Sequence, residues 1–153
     1  MKLKLSFALV LVIAASAVTV VALAQSPTRA EAAASSGSCQ DGWLSTNRLD
    51  VSSGGGVIRY NVTMKNYWWV MGMSRSGAAT GRFVQVRSFW PDRVVQQKTI
   101  TWYNGNASFS GQVYYNSLGF KSGQTVTFKA SANGPGNQSG KSAVTCGVTI
   151  TLQ

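Results

Sequence analysis

From Gly42 onward the apolar positions tend to recur at every second residue, and no window of useful length carries the 3.6-residue spacing of a helix. In Val57–Met64, Ile58, Tyr60, Val62 and Met64 fall on one face, while Arg59, Asn61 and Thr63 fall on the other. Gln124–Ser131 sets Val126, Phe128 and Ala130 against Thr125, Thr127 and Lys129. Ala143–Leu152 sets Val144, Cys146, Val148, Ile150 and Leu152 inward against Thr145, Thr149 and Thr151. Further strands are predicted over Trp43–Val51, Tyr67–Met73, Arg82–Trp90, Val94–Tyr103 and Ala107–Tyr115. Turn formers separate them: Ser53-Gly54-Gly55-Gly56, Ser76-Gly77, Asn104-Gly105, Ser122-Gly123 and Asn133-Gly134-Pro135-Gly136. Asn104-Gly105 is the strongest hairpin signal, because a type I′ turn needs positive φ at both central positions.

This spacing predicts an all-β domain, an antiparallel immunoglobulin-like β-sandwich of about seven to eight strands, with a small eight-stranded β-barrel as the alternative. The stretch from Leu118-Gly119-Phe120-Lys121-Ser122-Gly123 to Gln124-Thr125-Val126-Thr127-Phe128 resembles the strand-turn-strand phrase of immunoglobulin-like and fibronectin-like bacterial modules. The resemblance implies the sandwich class and carries no functional residues.

The first residues follow a different pattern. Lys2 and Lys4 precede an apolar run, Leu5 to Ala24, that ends in Ala22-Leu23-Ala24, the small-x-small form read by a signal peptidase. Residues 1–24 are therefore expected to be a signal peptide of bacterial type, with an uncleaved anchor as the alternative because the run is long enough to span a bilayer. Residues 25–38 read as a flexible Ala/Ser-rich segment, and residues 39–153 as one disulfide-closed β domain. In an exported chain the two cysteines, Cys39 and Cys146, are expected to pair. The chain-entropy model gives such a long loop about 4–5 kcal/mol of stabilisation.

Composition narrows the chemistry. The 153 residues include 14 Lys and Arg, 4 Asp and Glu and no His, so no histidine-based triad or zinc site can be built. Few carboxylates remain for glycoside hydrolysis or an oxygen-rich metal cage. A hydrophobic content of 44% argues for a packed domain over a disordered one. Loss of Lys2 and Lys4 with the leader leaves 12 basic against 4 acidic residues, and with Glu31 in the tail the folded part keeps only Asp41, Asp50 and Asp92. Asp92, after Pro91, is expected to form a local turn bond or to pair with Arg93, while Asp41 and Asp50 are expected to cap turns. No catalytic residue, metal ligand or cofactor is expected, and no enzymatic activity.

Two constellations remain as candidate ligand-binding residues. Tyr67, Trp68 and Trp69 lie in one strand-like run whose faces cannot both be core, which offers a ring for stacking or for a partner. Arg82, Arg87 and Arg93 lie near Phe83, Phe89, Trp90 and Tyr103 in sequence, with Trp102 beside them, and Arg87 is expected on the Phe83–Gln85–Phe89 side of its strand. Basic residues among aromatics suit an anionic polymer, a glycan or an anionic envelope surface, with transient membrane-surface contact as a further partner class. For an exported chain nucleic acid is the poorer default partner.

The expected function is that of a secreted, basic, non-enzymatic binding protein that associates with an envelope polymer or polysaccharide, with retention at a cell wall as one form of that association. A membrane-active toxin-like protein with Tyr67-Trp68-Trp69 as its wedge is the first alternative. A secreted enzyme inhibitor presenting Ser74-Arg75-Ser76-Gly77-Ala78-Ala79 is the second. Solvent exposure of the tryptophans separates the aromatic readings from a surface that is merely charged.

Overall fold

The computed structural model describes residues 34–42, 45–66, 76–134 and 142–153. Among them run nine strands: β1 Ser35–Asp41, β2 Ser45–Gly54, β3 Val57–Asn66, β4 Gly77–Gln85, β5 Arg93–Trp102, β6 Asn106–Tyr114, β7 Thr125–Asn133, β8 Ser142–Val144 and β9 Val148–Thr151. All pairings are antiparallel. The first sheet has the order β1-β2-β3-β6; the second has β5-β4-β7, with β8 and β9 both on the far edge of β7. The two sheets face each other over one core, and the chain does not close into a barrel. In an immunoglobulin domain the second strand lies between the first and the fifth. Here β2 lies between β1 and β3, so the sheets follow a different strand order.

Strict alternation decides which side of each strand is core. β3 buries Ile58, Tyr60, Val62 and Met64, and β7 buries Val126, Phe128, Ala130 and Ala132, as the sequence pattern requires. Aromatic rings cross the interface. Tyr60 of the first sheet stacks on Phe83 of the second at 4.1 Å between centroids, and Phe83 stacks on Phe128 at 4.9 Å. Each such pair adds about 0.5–1.5 kcal/mol beyond the area it buries. The Tyr60 hydroxyl donates to the Gln96 side-chain oxygen of β5, and burial pushes its pKa up to about 12. It therefore stays a neutral donor over the whole ordinary pH range. Gly111 makes this reach possible: a Cβ built there would stand 2.5 Å from both the Tyr60 hydroxyl and the Gln96 oxygen.

Three further expectations are corrected along the chain. Ser35–Ser38, read as part of a flexible tail, belong to β1 and pair with Ser53, Ser52, Val51 and Asp50 of β2. The strand expected over Arg82–Trp90 ends at Gln85. Beyond it Arg87 donates from Nε to the Pro91 carbonyl at 2.9 Å and from its backbone to Asp92, which closes a loop and ends the alternation. The Asn104-Gly105 turn forms with φ of 48° and 73°, as a type I′ turn demands. Its arms share only the Tyr103–Asn106 bridge and then part, one to each sheet, because Trp102 pairs with Gly77 while Ala107 pairs with Met64.

The last long strand is broken in two. From Val144 to Val148 the chain takes four steps, while their partners on β7, Ser131 and Phe128, are three apart. The extra residue is a bulge that reverses the alternation. Thr145 turns inward, its hydroxyl accepting the Ala130 amide at 2.8 Å, while Val144 turns out to solvent. Cys146 lies on this break, half-buried, and bonds to Cys39 of β1 across a Cα separation of 6.0 Å. The disulfide thus joins the outer strand of one sheet to the edge of the other. The Tyr67–Met73 strand lies outside the described residues.

Replacing both cysteines by serine is expected to cost about 4–5 kcal/mol in denaturant unfolding, or less where the reduced chain stays compact. Gly111→Ala is expected to lose about 1–3 kcal/mol, because either Tyr60 or Gln96 must move. An unchanged midpoint for Gly111→Ala would show that the Tyr60–Gln96 contact is not fixed as described.

Candidate binding surfaces

The residues singled out from sequence do not form one cluster. Tyr67, Trp68 and Trp69 lie outside the described residues. Trp102 is fully buried and its indole Nε1 donates to the Asn133 carbonyl at 2.8 Å, so it is a core residue with no face for a ligand. Arg82 lies on the outer face of the second sheet, its Nε on the Gln97 side chain at 3.1 Å. Arg87, Trp90 and Arg93 belong to the β4–β5 connection and the start of β5, whereas Tyr103 follows the far end of that strand. A strand of this length separates them by about 30 Å.

Tyr103 is 71% exposed and lines a shallow groove of about 670 Å³. Antiparallel register builds the groove, because residues facing each other across strands share a face. Gln40, Arg48, Thr63 and Ser108 are successive partners across all four strands of the first sheet. Thr46, Lys65 and Asn106 form the neighbouring row, and Thr101 and Tyr103 close the end. A second depression of about 500 Å³ continues the same face over Ser36, Ser38, Asp50, Ser52, Arg59 and Asn61. Hydroxyls and side-chain amides both donate and accept, so this face matches a ligand rich in hydroxyls. Arg48 forks onto Asp50 at 2.9–3.0 Å, which raises the Arg48 pKa and leaves Asp50 paired instead of capping a turn. Lys65 and Arg59 add positive charge to the two depressions. Four strands set the groove length at about 15 Å across the sheet.

The β4–β5 loop is the second surface. Phe89 is 94% and Trp90 74% exposed, side by side at its tip. The base of the loop is held by the two Arg87 bonds, by a Lys129–Asp92 ion pair, and by Arg93, which donates to the Leu118 carbonyl at 2.8 Å. Asp92 therefore pairs with Lys129 of β7 and not with Arg93, as expected from its neighbour in sequence. The Lys129 hydrogen bond is the main cause that holds its carboxyl below the usual value. Asp41, at the end of β1, has its carboxyl raised by burial, against the pull of backbone hydrogen bonds. Among the described residues no three His, Cys, Asp or Glu side chains surround a position for a metal ion, and no helix is long and apolar enough to cross a membrane.

Sequence reasoning places Phe89 beside Trp90 among the basic residues but on a strand face, where the structure has a loop; the polar rows it does not find. The rows join residues distant in the chain, and the register that aligns them is not visible in any single segment.

The Asp92–Lys129 pair gives a pH test with a definite sign. A depressed carboxyl contributes stability that is complete above its ordinary value of 3.8 and fades as pH falls through the lower folded value. The pair is exposed, so Asp92→Asn is expected to lose less than about 1 kcal/mol at neutral pH. The same substitution is expected to flatten the acid titration of the Arg87 backbone amide followed by NMR. An Arg87 amide that titrates identically in both proteins would rule out its hydrogen bond to Asp92, and a stability loss on Asp92→Asn that does not shrink as pH falls below 3.8 would rule out the ion pair.

No protein-family model matches the chain, and neither a curated protein nor a solved structure matches it.

Proposed function

We propose that the chain is a secreted, non-catalytic binding protein of a bacterial envelope, which takes a glycan or an anionic envelope polymer along the outer face of the β1-β2-β3-β6 sheet. The observation that carries this reading is the groove that ends at Tyr103. It combines an exposed ring, rows of Ser, Thr, Asn and Gln, and the cations Arg48 and Lys65 on a rigid sheet. A sugar ring stacks on an aromatic face while its hydroxyls exchange hydrogen bonds with amides and alcohols. Arg and Lys add attraction for phosphate or carboxylate groups of a polymer, and that attraction weakens with salt. The apolar leader and the Cys39–Cys146 bridge both suit an oxidising, extracellular setting.

Retention on purified cell wall, with and without its anionic polymer, tests the reading. Tyr103→Ala is expected to lower affinity about tenfold through loss of stacking area, with the unfolding transition unchanged. Arg48→Gln with Lys65→Gln is expected to reduce the salt dependence of binding to the anionic polymer. If the wild-type protein stays wholly in solution at low salt, or if Tyr103→Ala is retained equally well, the groove is not the binding site.

A further inference from the structure

We propose that the end of the sandwich carrying the β4–β5 loop docks on a phospholipid surface with anionic headgroups, Phe89 and Trp90 entering the interfacial layer. This surface is separate from the Tyr103 groove and does not depend on it.

Three observations converge on this end. The first is the distribution of exposed apolar side chains. Of the six large hydrophobic residues most exposed among the described residues, Phe89, Trp90, Val94 and Tyr114 belong here, while Tyr103 and Val144 do not. Val94 is the second residue of β5 and Tyr114 the last of β6, so both sit beside the loops of this end. Trp and Tyr favour the headgroup layer, where an apolar ring and a polar edge are both satisfied.

The second is charge. Arg87 and Arg93 flank the aromatic tip, Lys129 reaches its base, and Lys121 lies in the β6–β7 connection of the same end. The acid within this set is Asp92, and Lys129 already neutralises it. Each basic group near an anionic leaflet contributes attraction that falls away within a Debye length.

The third is rigidity and shape. Arg87 ties the two arms of the loop together, Asp92 ties it to β7, and Arg93 ties the start of β5 to the turn after β6. The aromatic tip is therefore presented at little further entropic cost on binding. It projects from a loop, with both rings largely exposed. A protein partner needs about 800 Å² of complementary surface, more than a two-residue tip supplies. A bilayer makes no such demand.

The test uses the full chain and vesicles of phosphatidylcholine, either alone or with about one quarter phosphatidylglycerol. Because Leu5–Ala24 is itself apolar, the readout is tied to the loop: Trp90 emission, taken as the difference between the wild-type and Trp90→Phe spectra. With anionic vesicles this signal is expected to shift to the blue and to be quenched by lipids brominated in their acyl chains. The double variant Phe89→Ser, Trp90→Ser is expected to lose about tenfold or more of the loop-dependent partition, while Tyr103→Ala leaves vesicle binding unchanged. Both tip residues are exposed, so an unchanged unfolding transition checks that the variant is folded. A Trp90 signal indifferent to vesicles overturns the proposal. So does equal binding of the double variant, or a response to neutral vesicles as large as to anionic ones. Polymer retention is read separately: its failure with a positive Trp90 response removes the groove alone.

Discussion

Tyr60 leaves β3 toward the core, lies flat against Phe83 of β4 and ends with its hydroxyl on Gln96 of β5. One residue of the first sheet is thereby fixed to two strands of the second. Sheets that meet only through aliphatic side chains can slide by small amounts at small cost, because dispersion is non-directional. A stacked ring that ends in a hydrogen bond has a preferred position in three dimensions. The ring series Phe128–Phe83–Tyr60 extends that constraint to β7, and Phe120 meets Phe128 edge-on from the connection before β7. The offset of the two sheets, and with it the position of every outward-facing row, rests on this joint.

Once the inner faces are committed to the core, period-two alternation leaves the outer faces to polar residues, and the loops at the ends receive whatever the strands cannot carry. The first sheet consequently presents rows of hydroxyls and amides with Arg48, Arg59 and Lys65 among them. The loop end carries exposed Phe89 and Trp90 with cations around them. Two of the three aspartates in the folded part are held by Arg48 and Lys129, so the positive excess is spread over surfaces with little acid left to mask it. These surfaces are about as far apart as the strands are long.

Strand existence was legible in the sequence wherever one face is apolar and the other polar, as in β3 and β7. It was not legible in β1, whose Ser-Ser-Gly-Ser-Cys-Gln-Asp run has no apolar alternation. That strand is held by its partner β2, by the disulfide and by the small side of Gly37, against which Val148 packs too closely for a Cβ. All three are long-range facts. The break at Thr145 was hidden for a related reason: an alternating string gives no sign that a hydroxyl will replace one ladder bond and shift the phase. Of the candidate site residues, Trp90 and Tyr103 are exposed as a binding role requires, while Trp102, with an equally suitable side chain, is core. The difference is register. Trp102 falls on the inward phase of β5 and Tyr103 is the first residue beyond it.

The Cys39–Cys146 bond encloses nearly all of the strands within one covalent ring. A pull applied to the two ends of the domain would enter through the first half of β1 and leave through β9, and between them it would pass along the sulfur–sulfur bond. The aromatic joint, the groove and the tip of the β4–β5 loop all lie inside the ring, off the path of the force. Tension would peel the first half of β1 and the whole of β9 and then stop, with the rest of the fold unextended until the disulfide was reduced.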